Sequence, residues 1–271
     1  MKCIGGEVIE VADVYTRRLD EAKEIAPDIK TYLDFRKLLD EKDVDAVLIA
    51  TPQHQHVLNF VPAIQAGKDV YQEKTMAFNP DHTRRMRKAV EASNRVVQIG
   101  IQSVSGPGFG PVAELRNQDR MGMITAIHTQ MFRNEPYGGW KRPIPSDCDL
   151  QHVHWIDFQG EAPQHPWDPN RYINWRFFWE YSGGNVFENM VHQVGFWYKQ
   201  LNLQIPRAVT LPAAITYAQI WKRRIPWMCR WISPKRSCLP GIRCSTMCIM
   251  AKPRTICSAR RERVPETSGM A

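Results

Sequence analysis

The segment Asp43–Lys74, DVDAVLIATPQHQHVLNFVPAIQAGKDVYQEK, reads as a strand, a loop, a helix and a second strand. Val44–Ala50 is a short apolar run rich in branched side chains, which predicts a strand buried on both faces. Thr51-Pro52 ends this strand, and the helical pattern of Val57–Ala66 stops at a glycine that can cap it. Asp69–Gln72 is the next predicted strand. The segment therefore predicts one βαβ unit of a parallel sheet.

The flanking sequence extends the same alternation of strands and helices. Strands are predicted at 7–12 and 95–101, and helices at 18–25, 35–41 and 80–93 with Asn79 as N-cap. Strands that alternate with helices of this length indicate a parallel sheet wound on both faces. The predicted fold class is therefore α/β, with a Rossmann-like doubly wound parallel sheet.

Polar residues follow several of these strands directly. Asp13 follows the first, Thr51 the next, and the Glu73-Lys74 pair comes after Gln72. Ligands of open parallel sheets bind in the crevice outside the carboxyl ends of the strands. We therefore expect a ligand site at this edge of the sheet.

Three motifs in order resemble the Gfo/Idh/MocA family, the relatives of glucose–fructose oxidoreductase and inositol dehydrogenase. They are ATPQHQH at 50–56, AGKDVYQEKTM at 66–76 and YSGGNVFENMVH at 181–192. The resemblance covers residues 7–206. It implies a Rossmann domain followed by an α/β domain with a mainly antiparallel sheet. It also implies hydride transfer between nicotinamide and a sugar, cyclitol or related polyol.

The resemblance assigns the catalytic roles to two residues. Lys74 matches a lysine that contacts the nicotinamide ribose and the reacting hydroxyl, where a cation favours a developing alkoxide. His192 matches a general acid/base, and Glu188, one helical turn earlier, is expected to orient it. A surface ion pair for Lys74 and a histidine satisfied by a local acid are the structural alternatives.

Seven further residues are expected on the cofactor side. Asp13 matches the acid that binds the adenosine ribose, and His56 matches the histidine of the TPxxxH loop. The others are Thr51, Pro52, Glu73, Gln102 and Arg176, of which Arg176 is expected to meet either a cofactor phosphate or a partner in a surface salt bridge. The cofactor is NAD or NADP, because the Asp13 carboxylate disfavours a 2′-phosphate while Arg17 and Arg18 could accept one.

The chain departs from the family pattern at three places. It opens at MKCIGGEVIEVADVY, so we expect the first βα unit, with its glycine-rich phosphate turn, to be missing. Thr75 replaces the proline that follows the family lysine, a proline that is usually cis, which could move Lys74. Gly195 stands where the family often has an aspartate three residues after the histidine.

We expect three regions: a partial NAD(P)-binding domain at 1–103, a partial substrate domain at 104–207, and a tail at 208–271. The tail holds twelve Lys or Arg, two acids and five of the seven cysteines, whereas residues 1–207 carry a net charge of −2. A one-base shift of suitable codons for 229–251 would encode PVDFPEEILFTWDSMFNNVYYG, a more ordinary domain sequence. We therefore interpret the tail as read out of frame rather than as a nucleic-acid arm.

Two other functions compete with the oxidoreductase hypothesis. The pairs His54/His56 and His152/His154 are H-x-H motifs, such as begin the zinc sites of metal-dependent hydrolases. A non-functional gene fragment is the third hypothesis. Otherwise we expect a small-molecule substrate, with no metal, no nucleic-acid partner and no membrane span. The expected location is the cytoplasm; the alternative is export by a signal that was lost with the truncated N-terminus. Homo-oligomerisation is left open.

The missing phosphate turn predicts weak cofactor binding by the 271-residue chain. Losing two charge-assisted hydrogen bonds, each worth about 1.5–3 kcal/mol, would weaken binding by roughly a hundredfold or more. We expect no enhancement of NADH fluorescence at micromolar cofactor. Tight NADH binding by this chain would contradict the expectation.

Overall fold

The computed structural model describes residues 2–3, 6–106, 109–131, 140–204, 206 and 245–250. The strands are β1 Lys2–Cys3, β2 Gly6–Glu7, β3 Glu10–Ala12, β4 Lys30–Tyr32, β5 Ala46–Ile49, β6 Asp69–Glu73, β7 Val97–Gly100, β8 Ala126–Met131 and β9 Ser245–Met250. The helices are α1 Thr16–Ile25, α2 Phe35–Asp40, α3 His56–Gln65, α4 Pro80–Glu91, α5 Pro111–Asn117, α6 Trp155–Gln159, α7 Pro169–Ile173 and α8 Gly184–Leu201.

Residues 10–100 form a parallel α/β fold, as the sequence predicted, whereas β1 and β2 before them pair antiparallel. Strands β5, β6 and β7 pair in that order and in parallel, and β3 pairs in parallel with β4. These are two separate sheets, since no described strand pairs with both β3 and β5. The sequence analysis missed β4, which is only three residues long.

Local sequence signals set the ends of the helices around β6. Helix α3 ends before Gly67, whose φ of +75° is the left-handed conformation that glycine adopts without a steric penalty. Helix α4 begins after Asn79, whose side chain accepts a hydrogen bond from the His82 N–H. Both helices pack on one face of the β5–β6–β7 sheet. Their shared core includes Ile49, Val57, Phe60, Ile64, Val70 and Met86.

The expectation that β5 is buried on both faces was wrong. Ile49 is buried against the core, but Ala46 is exposed and Leu48 keeps 66% of its surface accessible. Alternate side chains of a strand point to opposite faces of its sheet. Because α3 and α4 cover one face only, the Leu48 side lacks an equivalent layer among the described residues.

The second half of the chain is built around the long helix α8. Helix α5 packs on α8, and β8 pairs antiparallel with β9. β9 lies in the basic tail, where the sequence showed no sustained strand period. The rest of the tail and the segment 132–139 lie outside the described residues, so the frame hypothesis and the domain limits stay predictions.

The segment 147–181 docks on the edge of the Rossmann part. Val153 forms an antiparallel bridge with Tyr15, flanked by the hydrogen bonds His154 N to Val14 O and Thr16 N to His152 O. Tyr15 is fully buried, and its hydroxyl donates to Asp147. The backbone after β3 is therefore held by a segment more than 130 residues away in sequence.

A second contact joins the loop before α3 to α6. The Nε2 atom of His54 lies 2.7 Å from the carbonyl oxygen of Phe158, and Gln55 Nε2 donates to the carbonyls of Asp157 and Phe158. His54 also packs against the rings of Phe158 and Tyr181. The loop is therefore buried beneath the docked segment.

Within the described ranges, no helix combines the length and the apolar character needed to cross a membrane.

The burial of His54 predicts a pH-dependent stability. Burial lowers the pKa of His54 to about 4, so below pH ~6.5 the unfolded chain binds a proton that the folded chain binds poorly. The resulting stability is complete above the unfolded pKa and is lost as the pH falls through the folded one. Between pH ~7 and ~5 we expect the unfolding free energy to drop about 2 kcal/mol more than in His54→Gln.

Urea unfolding at several pH values measures this difference. Glutamine can still donate from its Nε2 to Phe158 but does not titrate, so all other titrating groups are common to the two proteins. Parallel stability curves for the two proteins would show that His54 is not responsible.

Candidate active site

The carboxyl ends of β6 and β7 bring Glu73, Lys74 and Gln102 together. In the parallel register Glu73 lies opposite Gly100, so Gln102 comes two residues beyond the neighbouring strand's end. Gln102 Nε2 donates to Glu73 Oε1 at 2.7 Å, and the Lys74 N–H donates to Glu73 Oε2 at 3.2 Å. Glu73 is therefore fixed by both flanks of the strand ends, and the backbone of Lys74 is fixed with it.

Helix α8 brings His192 to the same place. Burial and the charge of Lys74 lower the pKa of His192, while the charge of Glu73 raises it. These two residues are therefore within electrostatic range of the imidazole. His192 is more than a hundred residues away from Glu73 and Lys74 in sequence, and the structure brings the three residues into one group.

Two hydroxyl groups connect α8 to the strand ends. Thr75 Oγ1 donates to the carbonyl oxygen of Phe187 at 3.1 Å, and Ser103 Oγ donates to that of His192 at 3.1 Å. Thr75 follows Lys74, and Ser103 follows Gln102. The Lys74–Thr75 peptide bond is cis, as the family proline bond usually is.

Helix α8 approaches β7 closely because residue 195 is glycine. A Cβ atom at Gly195 would lie 3.0 Å from the side chain of Ile101. The sequence analysis noted Gly195 only as a departure from the family aspartate. The structure gives it a packing role at the place where α8 passes the end of β7.

The expectation that Glu188 orients His192 was wrong. Glu188 is 1% exposed, its Oε1 accepts from Ser182 Oγ at 2.6 Å, and its Oε2 accepts from Arg176 Nε at 2.8 Å. Ser182 Oγ in turn accepts from the Gly184 N–H at the start of α8. The carboxylate oxygens of Glu188 therefore bind Ser182, just before the start of α8, and Arg176, and not His192.

Arg176 has an acidic partner in the interior rather than at the surface. Besides Glu188, its guanidinium lies 4.2 Å from the ring centroid of Trp175 and 5.8 Å from that of Trp140. A guanidinium stacked on aromatic rings and paired with a buried carboxylate is held in one orientation. The structure thus gives Arg176 a carboxylate partner, but a buried one instead of the surface salt bridge that was the alternative expectation.

The Thr51–His56 loop lies at the carboxyl end of β5, with Thr51 exposed and His56 buried. His56 Nε2 lies 2.9 Å from the Thr51 carbonyl, and Nδ1 lies 2.7 Å from the Thr75 carbonyl. Burial lowers the pKa of His56, and these carbonyls oppose that shift. His56 therefore links the Thr51-Pro52 turn to the residue after Lys74, and its two shortest contacts are with backbone carbonyls, while Gln72 Nε2 lies 3.4 Å from its Nδ1.

Asp13 lies at the carboxyl end of β3, beneath the docked segment. Its Oδ1 accepts from the Tyr15 N–H at 2.9 Å, and burial raises the pKa of its carboxyl group. Its charge contributes, after burial, to raising the pKa of the Tyr172 hydroxyl. Asp13 thus belongs to a cluster separate from Glu73, Lys74 and His192.

Residues 4–101 match the oxidoreductase family Gfo/Idh/MocA, which is described by its NAD-binding Rossmann fold. The matched stretch is 98 of the 271 residues and contains the parallel α/β part of the chain. The family resemblance drawn from the three motifs is therefore confirmed, as is the Rossmann fold.

Two curated relatives are inositol dehydrogenases. The inositol 2-dehydrogenase of Salmonella paratyphi B is 27% identical over 158 residues, 56% of this chain and 47% of the relative. The inositol 2-dehydrogenase/D-chiro-inositol 3-dehydrogenase of Shouchella clausii is 31% identical over 144 residues, 50% of this chain and 41% of the relative. The chain spans less than half the length of these relatives.

A solved structure shows the same fold over a longer stretch. The WlbA dehydrogenase from Bordetella pertussis, in complex with NADH and UDP-GlcNAcA, superposes with a TM-score of 0.52 at 21% identity. The superposition covers 72% of this chain and 47% of that one. It therefore extends the shared fold beyond the residues that match the family.

The histidine pairs of the hydrolase hypothesis do not converge on a common point. His54 and His56 contact backbone carbonyls, while His152 and His154 lie near Asp149 and Asp157 respectively. Throughout the described part of the chain, no three His, Cys, Asp or Glu side chains are grouped so as to hold a metal ion. The tail cysteines, apart from the backbone of Cys248 in β9, lie outside the described residues.

Ser182, Thr75 and Ser103 join the candidate site in the structure without having been predicted there from the sequence. A serine immediately before Gly183-Gly184 is a signal for a helix start, since its hydroxyl can accept a backbone N–H there. Nothing in the sequence marks Thr75 or Ser103 as contacts of α8, because their partners are backbone carbonyls 112 and 89 residues away.

The Arg176–Glu188 pair predicts a measurable loss of stability when it is broken. In Glu188→Gln the half-buried guanidinium loses its charged partner, and we expect about 1–3 kcal/mol of destabilisation in urea unfolding. The double variant with Arg176→Met should recover part of this loss, because both charges are gone.

The exposed pair Arg87–Glu91 on α4, with an N···O distance of 2.7 Å, is the matched control. We expect Arg87→Met to cost clearly less than Glu188→Gln, because both charges of this pair are exposed to solvent. Equal losses for Glu188→Gln and Arg87→Met would argue against a buried, oriented pair.

Proposed function

We propose that the protein is a nicotinamide-dependent oxidoreductase that acts on a hydroxyl-bearing carbon of a cyclitol, sugar or related polyol. The carrying observation is the convergence of Lys74, Glu73 and His192 at the carboxyl ends of β6 and β7. Ligands of doubly wound sheets bind at these ends. The curated relatives, which are inositol dehydrogenases, favour a cyclitol within this class.

His192 is suited to accept the hydroxyl proton. Because burial and Lys74 lower its pKa, the imidazole is neutral at neutral pH and can act as a base. When the reaction runs toward the alcohol, the imidazolium returns the proton. The neighbouring Glu73 charge limits the cost of the protonated form.

Lys74 supplies the cation of the site. An ammonium group beside the substrate oxygen stabilises the negative charge that grows on it as its proton leaves. The hydrogen bonds from Gln102 and the Lys74 N–H to Glu73 hold the Lys74 backbone in place. In this proposal Lys74 stabilises the developing negative charge, and His192 transfers the proton.

The described residues fit the nicotinamide half of the cofactor. Thr51 is exposed, and Glu73, Lys74 and Pro52 are partly exposed at adjoining strand ends, so polar groups face the crevice. When bound, the nicotinamide supplies the hydride acceptor or donor. We assign Thr51, Pro52, Glu73 and Gln102 to this half. The role of His56 is to fix the loop that carries Thr51 and Pro52.

We propose NAD rather than NADP. The Asp13 carboxylate suits the two ribose hydroxyls, and it disfavours a 2′-phosphate. Arg17 is paired with Glu21 and Asp147, and Arg18 with Glu21. These pairings reduce the capacity of both arginines to neutralise an added phosphate. Arg176, paired with Glu188, is not needed as a phosphate contact.

Substitution of the two reacting groups tests the proposal. With millimolar NAD and myo-inositol, we expect Lys74→Met and His192→Gln each to lower kcat by roughly a hundredfold or more. For the wild type, the acid limb of the kcat/KM profile should lie below pH ~6.5, because the pKa of His192 is lowered. NADH formation followed by absorbance measures both.

Lys88→Met, on the exposed side of α4, and His152→Gln are the matched controls and should leave kcat unchanged. If NAD-dependent turnover survives Lys74→Met and His192→Gln, the assigned chemistry is wrong. If wild type oxidises no polyol in a panel of cyclitols and sugars, the proposed substrate class is wrong.

A further inference from the structure

Two side-chain hydrogen bonds join α8 to the residues that follow β6 and β7. Thr75 Oγ1 binds the Phe187 carbonyl, and Ser103 Oγ binds the His192 carbonyl. All four residues are partly buried, so water competes less well for these carbonyls than at an open surface. The two accepting carbonyls are five residues apart, about 7.5 Å along the helix axis.

These two bonds are placed to control the position of His192. A helix attached at one point can still pivot about it, whereas attachment at two points along its length fixes its direction. Gly195 adds the close approach to Ile101 on the side beyond His192. The attached stretch of α8 is therefore the stretch that carries the imidazole.

The two hydroxyl donors are also close in the chain to the residues at the strand ends, Lys74 and Glu73. Thr75 is bonded directly to Lys74 in the chain, and its carbonyl is held by His56. Ser103 is bonded directly to Gln102, which holds Glu73. A shift of α8 at either contact therefore changes its distance from Lys74 or Glu73.

We propose that the hydroxyl groups of Thr75 and Ser103 are positioning groups, which hold α8 so that His192 faces Lys74. The link from position to rate rests on the proposed oxidoreductase function, whereas the positioning itself does not. Valine at position 75 removes the hydroxyl but keeps the branched shape, and serine keeps the hydroxyl. Alanine and threonine are the corresponding changes at position 103.

The pKa of His192 reports its distance from Lys74 without any cofactor. Lys74 and Glu73 face the imidazole from the strand ends, and Glu188 on α8 is already bonded to Ser182 and Arg176. When α8 loosens, His192 gains solvent and moves away from the Lys74 charge. Its pKa should then rise toward the ordinary value of an exposed histidine, about 6.5.

The experiment is an NMR titration of the full chain with isotope-labelled histidine, with His192→Gln to assign the signal. We expect the pKa of His192 to rise in Thr75→Val and Ser103→Ala, to rise further in the double variant, and to return in Thr75→Ser. Two other hydroxyl-to-carbonyl bonds serve as matched controls, Thr83 to Asn79 and Ser93 to Val90. Thr83→Val and Ser93→Ala should leave the pKa of His192 unchanged.

Kinetics give the second readout. In the NAD-dependent assay we expect Thr75→Val to lower kcat roughly ten- to a hundredfold, with a smaller change in KM, because the reacting groups are misplaced while the pocket remains. Thr75→Ser should restore kcat.

The outcomes separate the two proposals. An unchanged pKa of His192 in both Thr75→Val and Ser103→Ala overturns the positioning role, whatever the activity. An equal rise in Thr83→Val overturns it as well, because the effect would then be general loosening. If the pKa rises as expected but no variant or wild type transfers hydride, the positioning role stands and the proposed function fails.

Discussion

The parallel pairing of β5, β6 and β7 is the constraint on which the candidate site depends. Parallel strands end at the same edge, so the residues after each strand meet there without being neighbours in sequence. The register that places Glu73 opposite Gly100 also lets Gln102 reach the Glu73 carboxylate. The backbone pairing of β6 thus positions Lys74, which directly follows this strand.

The second half of the chain contributes through polar contacts with backbone atoms. His54 and Gln55 bind carbonyls of α6, and Thr75 and Ser103 bind carbonyls of α8. Helix and loop carbonyls have a spare lone pair, so they accept such bonds without losing their own partners. The Rossmann part is in this way joined to the helix that carries His192.

Much of the Rossmann part could be predicted, because its signals are local. Apolar runs, Asn79 and Gly67 set the strands and helices to within a few residues. The prediction failed at β4, which is too short for a pattern, and at Leu48, whose exposure depends on which layers cover the sheet. For Glu188 the spacing of four to His192 suggested a partner, but the carboxylate found stronger donors in Ser182 and Arg176.

The sequence by itself determined the family resemblance, the parallel α/β fold and the prediction that Lys74 and His192 are the reacting residues, because motif spacing and periodicity are properties of contiguous residues. Only the tertiary structure decided that Lys74, Glu73 and His192 share one electrostatic environment and that Asp13 lies in another cluster. It also decided that His56, Thr75 and Ser103 act on backbone carbonyls. Such contacts join residues far apart in the chain. Because every residue carries a backbone carbonyl, the sequence pattern does not show which carbonyl accepts the hydrogen bond.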